Sequence, residues 1–180
     1  MPGYDVKKAV RDDVLKVAIV MLVSRVLNRK ALTDAAWIRT LLFTLMGVVI
    51  YEAVARRYIQ TSDHFAGNVK TMTDDWLRIG TILLVTRILR EKPLYDRKWI
   101  MECLFTLLGF GAYDLFVHKL AKSTLAQFEG RNRTIAGDIA KVTTMLGVSH
   151  WLSGQNLDMD WLISTLVTLG GFTTANVVLL

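Results

Sequence analysis

Long apolar blocks alternate with short polar breaks along the chain, and the blocks come in pairs. Val, Ile and Leu cluster in runs instead of alternating strictly with polar residues, which predicts helices and no strands. The first run of each pair, helix A, is expected near 14–27, 76–89 and 139–152. The second, helix B, is expected near 35–55, 99–117 and 161–180. Fewer than ten residues join A to B, so the two are antiparallel neighbours in a hairpin. Linkers near 56–73 and 118–137 are polar, with Gly67 and Gly130 as breakers. The stretch 121–128 has the pattern of a short amphipathic surface helix.

The pairs are copies of one another. At a shift of 62, Asp13 falls on Asp75, Lys16 on Arg78, Ser24-Arg25 on Thr86-Arg87 and Asp34 on Asp96. Trp37-Ile38 falls on Trp99-Ile100, Leu42-Phe43-Thr44-Leu45 on Leu104-Phe105-Thr106-Leu107, Gly47 on Gly109 and Tyr51 on Tyr113. A third, more divergent copy carries Asp138, Lys141, Ser149, His150 and Leu152 at a shift of 63, then Asp158, Trp161, Thr168 and Gly171 at 62. The units run about 8–69, 70–132 and 133–180 and form a single membrane domain spanning 1–180. The linkers repeat too, as Phe65-x-Gly67-x-x-Lys70-Thr71 and Phe128-x-Gly130-x-x-Arg133-Thr134. The fold class this predicts is all-α: three tandem two-helix hairpins forming a pseudo-threefold six-helix bundle in a membrane.

Composition supports a membrane. Hydrophobic residues make up 52% of the 180 and mean hydropathy is +0.35, both above a soluble domain's usual values. The last run, 161–180, has no charged residue and is long enough to span. The A runs are interrupted: Lys16 and Arg25 leave eight uncharged residues between them, so their ends must snorkel. Net charge is +6. The basic residues flank apolar runs, which suits lipid headgroups and not nucleic acid. Thirteen of the 22 Lys/Arg lie on the terminus-and-linker side, so the positive-inside rule sets both termini in the cytoplasm.

Three sets of residues stand out within the unit. Asp13 with Lys16, Asp75 with Arg78 and Asp138 with Lys141 repeat near the start of helix A. Glu52 and Asp114 end helix B, where hairpin packing brings them towards Lys16 and Arg78; Asn176 takes that place in the third unit. These are ion-pair candidates, either a clamp at the hairpin's open end or part of an ion or proton path. Thr44 and Gly47, Thr106 and Gly109, and Thr168 and Gly171 form a small-residue stripe on helix B, suited to close helix packing or, alternatively, to lining a pore. Trp37, Trp99 and Trp161 begin helix B as interface anchors, or else close each hairpin from within. Asp34, Asp96 and Asp160 are the expected N-caps. Arg25, Arg87 and His150 form a matched set near the hairpin end, reaching headgroups or binding anions.

No nucleophile, phosphate-loop or dinucleotide motif is present, and His64, His118 and His150 lack ligand spacing. The chain is therefore expected to be no enzyme, with no catalytic residues, cofactor or metal. Cys103 stands alone and forms no internal disulfide.

The unit Asp-x-x-Lys/Arg, Ser/Thr-Arg-x-Leu, Asp-x-x-Trp-Ile, Leu-Phe-Thr-Leu-x-Gly and Tyr, as in Asp75–Tyr113, resembles small multi-spanning membrane proteins of large icosahedral DNA viruses of the algal type. The resemblance covers all three units and brings no active-site residue. It implies a structural component of the virion inner membrane, with the lipid bilayer, other membrane or minor capsid proteins and a second copy of the chain as its partners. A channel or small-solute carrier using the axis between the hairpins is the alternative.

Overall fold

The computed structural model describes residues 5–61 and 67–179, and every regular element among them is helical. The linker residues His64 and Phe65 lie outside them. Helix α1 (Val6–Leu27) starts where the Asp5 carboxylate accepts the Lys8 N–H at 3.1 Å. It is followed by α2 (Ala35–Ile50), a π-helical turn π1 (Tyr51–Ala55) and α3 (Arg56–Thr61). The second segment repeats the order as α4 (Gly67–Leu89), α5 (Arg97–Ala112), π2 (Tyr113–Val117) and α6 (His118–Leu125). The third has α7 (Gly130–Leu152) and α8 (Met159–Leu179).

The helices differ from the hydropathy pattern at their polar ends. Helices α1, α4 and α7 begin eight or nine residues before the expected starts, and α3 and α6 extend the B runs into the linkers. Polarity alone does not stop a helix whose residues have adequate propensity. The breaks fall at Gly67 and Gly130, whose φ values of +54° and +52° no side-chain-bearing residue adopts cheaply. The expected surface helix at 121–128 lies instead at His118–Leu125, continuous with π2.

Three helices are long and apolar enough to cross a membrane: Ala35–Ile59, Arg97–Leu125 and Met159–Leu179. Each packs along two others. The broadest interfaces join α2 to α4, α5 to α7 and α8 to α1; those within a hairpin (α1 with α2, α4 with α5, α7 with α8) are narrower. The segments are thus held to each other more extensively than each hairpin is held together.

Glycine permits the broad interfaces. A methyl group at Gly47 would lie 2.8 Å from Ile82 Cα, one at Gly109 would lie 2.6 Å from Met145 O, and one at Gly171 would lie 2.9 Å from Val20 O. Gly47, Gly109 and Gly171 are matched positions, and so are Ile82, Met145 and Val20. The stripe's hydroxyls satisfy themselves: Thr44, Thr106 and Thr168 each donate to the carbonyl four residues back, at 2.8, 2.8 and 2.9 Å.

The exterior is apolar. Ile38, Leu42, Met46, Ile50 and Val54 are exposed at steps of four along one face, and Ile100, Leu104, Leu108 and Phe116 repeat the stripe. Leu162, Leu166 and Val178 repeat it on α8. Asp13, Lys16, Glu52, Asp75, Arg78, Asp114, Asp138 and Lys141, by contrast, are buried or half-buried.

Candidate functional site

The inward charges meet at one level, near the middle of α1, α4 and α7, because these helices begin before the starts expected from the sequence. Arg78 of α4 donates to Asp13 of α1. Lys141 of α7 donates to Asp75 of α4. Lys16 of α1 donates to Asp138 of α7 at 2.6 Å. The three pairs link α1, α4 and α7 into a closed ring. An aspartate and a base three residues apart on one helix point to different neighbours, so each helix gives and receives one bridge.

The partners differ from the hairpin-clamp expectation. Lys16 bonds Asp138 of the third segment, not Glu52 of its own hairpin. Arg78 reaches Asp13 and Glu52 of the first segment, the latter at 3.2 Å, and not Asp114. The physical reason is the order of packing: α2 lies broadest against α4, so its far end faces the next segment's base.

Around the ring sits a layer from the ends of the B helices. Tyr51 and Glu52 are wholly buried at the start of π1, and Tyr113 and Asp114 nearly so at the start of π2. Ala175 and Asn176 are buried at the matched place on α8. The Tyr51 hydroxyl donates to Asp74. Glu52 accepts two bonds from Arg56, at 2.8 and 3.0 Å. Asn176 donates to Asp138 at 2.9 Å. Aromatic faces lie under the bases: Arg78 over Tyr51 at 5.3 Å, Lys141 over Phe110 at 5.7 Å and Lys16 over Phe172 at 5.8 Å.

On the hairpin side of the ring lies an axial cavity of about 280 Å³. Val17, Val20, Ile79, Ile82, Val142 and Met145 give it apolar walls. Of the three stripe threonines only Thr44 lines it.

The other end of each hairpin is closed by a lock that the sequence reading did not assemble. Arg25 donates to the loop carbonyl of Ala31 at 3.0 Å and to the Asp34 carboxylate at 2.8 Å, and its guanidinium lies 5.4 Å from the Trp37 ring. Arg87 does the same with Pro93, Asp96 and Trp99, the last at 5.1 Å. His150 bonds the Asn156 carbonyl at 2.8 Å and lies 6.0 Å from the Trp161 ring. Arg25, Arg87 and His150 are therefore engaged in loop closure. The signal was legible as an Arg nine residues before an Asp, with a Trp three further on, in both of the first two units.

Asp34 and Asp96 cap α2 and α5. The third cap is Asp158, which accepts the Trp161 N–H at 2.9 Å, and not Asp160, which lies in the first turn of α8. Asp158 keeps the three-residue spacing to tryptophan; Asp160 does not. The Ala36 N–H and then Arg25 hold the Asp34 carboxyl below its ordinary value, and Arg87 does so most strongly for Asp96. Each α1, α4 and α7 ends in a left-handed residue: Arg29 at φ +54°, Glu91 at +54° and Gly154 at +70°.

Among the described residues no group of His, Cys, Asp and Glu is arranged to hold a metal ion. No family model, no curated protein and no solved structure matches the chain.

Proposed function

We propose that the chain is a structural integral membrane protein: six helices spanning a bilayer as three hairpins about a pseudo-threefold axis. It binds lipid through its outer stripes and neighbouring proteins through its polar ends. The observation that carries this reading is the distribution of charge and grease. The ring bases are paired with carboxylates facing the axis, while large apolar side chains face out. The outer stripe continues from Ile38 to Tyr58 and from Ile100 to Leu120. At 1.5 Å per residue each covers about 30 Å, the thickness of a hydrocarbon core. Helices α1, α4 and α7, at 22 or 23 residues, are of matching length, and the pairing of Lys16, Arg78 and Lys141 inside the bundle supports their crossing, with the exposed side chains of Arg11 and Asp12 on α1 towards the headgroups.

The same geometry favours a scaffold over a channel. Charge pairs tie α1, α4 and α7 together at one level and apolar walls follow, so a permeating ion would meet no continuous polar path. The resemblance to virion membrane proteins supports a place in the inner membrane of a large icosahedral DNA virus, against minor capsid proteins. Both termini then lie on the cytoplasmic side, and the tryptophans at the locks mark the opposite interface.

Single cysteines at positions 60, 92, 124 and 156, in a Cys103→Ser background, test the spans. In oriented vesicles 60 and 124 react with an impermeant label from one side, and 92 and 156 from the other. Labelling of all four from one side refutes the six-span bundle. Selective ion flux through reconstituted protein, abolished by Thr44→Leu in the cavity wall, would refute the scaffold reading in favour of a channel.

A further inference from the structure

The three matched sites around the ring differ in one respect: how charge is balanced. The first holds two carboxylates, Asp13 and Glu52, and two guanidinium groups, Arg78 and Arg56. The third holds one carboxylate, Asp138, with one base, Lys16, and the neutral amide of Asn176. In both, every one of these carboxylates is bonded to a fixed base. The second holds two carboxylates, Asp75 and Asp114, with one fixed base, Lys141. The place of Arg56, four residues after the second carboxylate, is taken by His118.

Asp114 is only 4% exposed, and its Oδ2 has no hydrogen-bond partner. A buried carboxylate oxygen left bare is costly. Asp114 lines a pocket of about 280 Å³ with Tyr113, His118, Thr134 and Lys141, so this site is reached from outside. The groups facing it are known from each side. Helix α4 offers Asp75, while its Asp74 is taken by Tyr51. Helix α7 offers Lys141, Arg133 and Asp138, the last bonded to Lys16 and Asn176. Tyr113 of π2 and His118 of α6 complete the surround; the tyrosine and histidine rings are 6.0 Å apart.

We propose that the second site, formed by Asp75, Asp114, His118 and Lys141, is an exchangeable proton-binding site. Uptake of one proton between the two carboxylates, Asp75 and Asp114, gives the bare, buried Asp114 oxygen a partner. Loss of that proton leaves Asp114 charged in a buried layer with no ion pair of its own among the described residues, since Lys141 is held by Asp75 and Arg133 lies exposed at the pocket wall. The folded bundle therefore binds the proton more tightly than the unfolded chain does, and its stability falls as pH rises through the site's titration.

The other two sites supply the test variants. His118→Arg gives the second site the first site's chemistry, and Asp114→Asn gives it the third's. Thermal unfolding of the full chain in lipid nanodiscs is followed from about pH 5 to about pH 8, the range into which burial lifts a carboxyl group. The native protein is expected to lose several degrees of unfolding temperature across this range, and both variants to lose that alkaline fall. Infrared spectra of native protein carrying ¹³C-labelled aspartate give a second readout that needs no variant. A protonated-carboxyl band that titrates in this range is expected. Native and variant unfolding profiles of the same shape, or labelled spectra with no titrating band, would overturn the proposal.

Discussion

Replacing Gly109 by alanine sets two known effects against each other. In a helix interior alanine is favoured over glycine by about 1 kcal/mol, so an unconstrained site gains stability. At Gly109 the new methyl group would lie 2.6 Å from Met145 O and 2.9 Å from Met145 Cα. Both are backbone atoms of α7, which cannot rotate away, so α5 and α7 must move apart along a principal interface. Overpacking of this kind costs about 1–3 kcal/mol, and a backbone obstacle belongs at the upper end. The net expectation is a loss of about 2 kcal/mol, roughly a thirtyfold fall in the folding equilibrium. Gly80 on α4 provides the control, because nothing lies within 4 Å of a methyl group there and the matched residue of α1 is already Ala18. Gly80→Ala is expected to gain up to about 1 kcal/mol. Denaturant titration of both variants in the same detergent, followed by far-ultraviolet circular dichroism, reads the difference. Equal stability of the two, or a gain at Gly109, would refute the close approach of α5 to α7.

Three further outcomes follow from the hairpin ends. Arg87→Ala costs on the order of 1 kcal/mol, since the Asp96 carboxylate is 41% exposed and part of the bond is screened; Arg87→Lys does not restore it, because an ammonium cannot span Pro93 O and Asp96 together, and denaturant midpoints decide. Asp34 and Asp96 have depressed carboxyl values, so the stability they add is present above the ordinary carboxylate range and is lost as pH falls through their folded values; the double variant Asp34→Asn, Asp96→Asn flattens the acid limb of unfolding below about pH 4. Arg29→Gly and Glu91→Gly each raise stability by about 0.5–1 kcal/mol, since both residues hold the left-handed conformation that Gly154 supplies in the third hairpin, and thermal unfolding measures the gain.

Helix class was legible because the apolar runs are long and unalternating. The glycine stripe and the ring charges were legible because they recur at shifts of 62 and 63. Helix ends were not, because Val6 to Asp13 and Gly67 to Asp74 are polar yet helical, and hydropathy registers polarity and not backbone conformation. The partners of Lys16 and Arg78 were hidden for a different reason: repetition says which residues are equivalent, but not whether a side chain faces its own copy or the next. The equivalence of Arg56 and His118 escaped notice because matching by identity passes over a position whose residues differ, and there the difference carries the chemistry. The π turns left no readable trace beyond the acidic residue after each tyrosine.

The closed ring also bears on how the chain is made. Asp13 has its partner 65 residues later, and Lys16 has its own 122 residues later. When the first hairpin leaves the ribosome, Lys16 lacks the helix that neutralises it, and Asp13 has only the 3.4 Å contact with Arg56 of its own segment. The second hairpin supplies Arg78 but brings Asp75, which waits in turn for Lys141. Only arrival of α7 satisfies the last carboxylate and the first lysine at once. Synthesis therefore passes through one- and two-hairpin stages whose charges must be sheltered by water, headgroups or an insertion factor. Completion is a single late event, slow as closures between distant segments are.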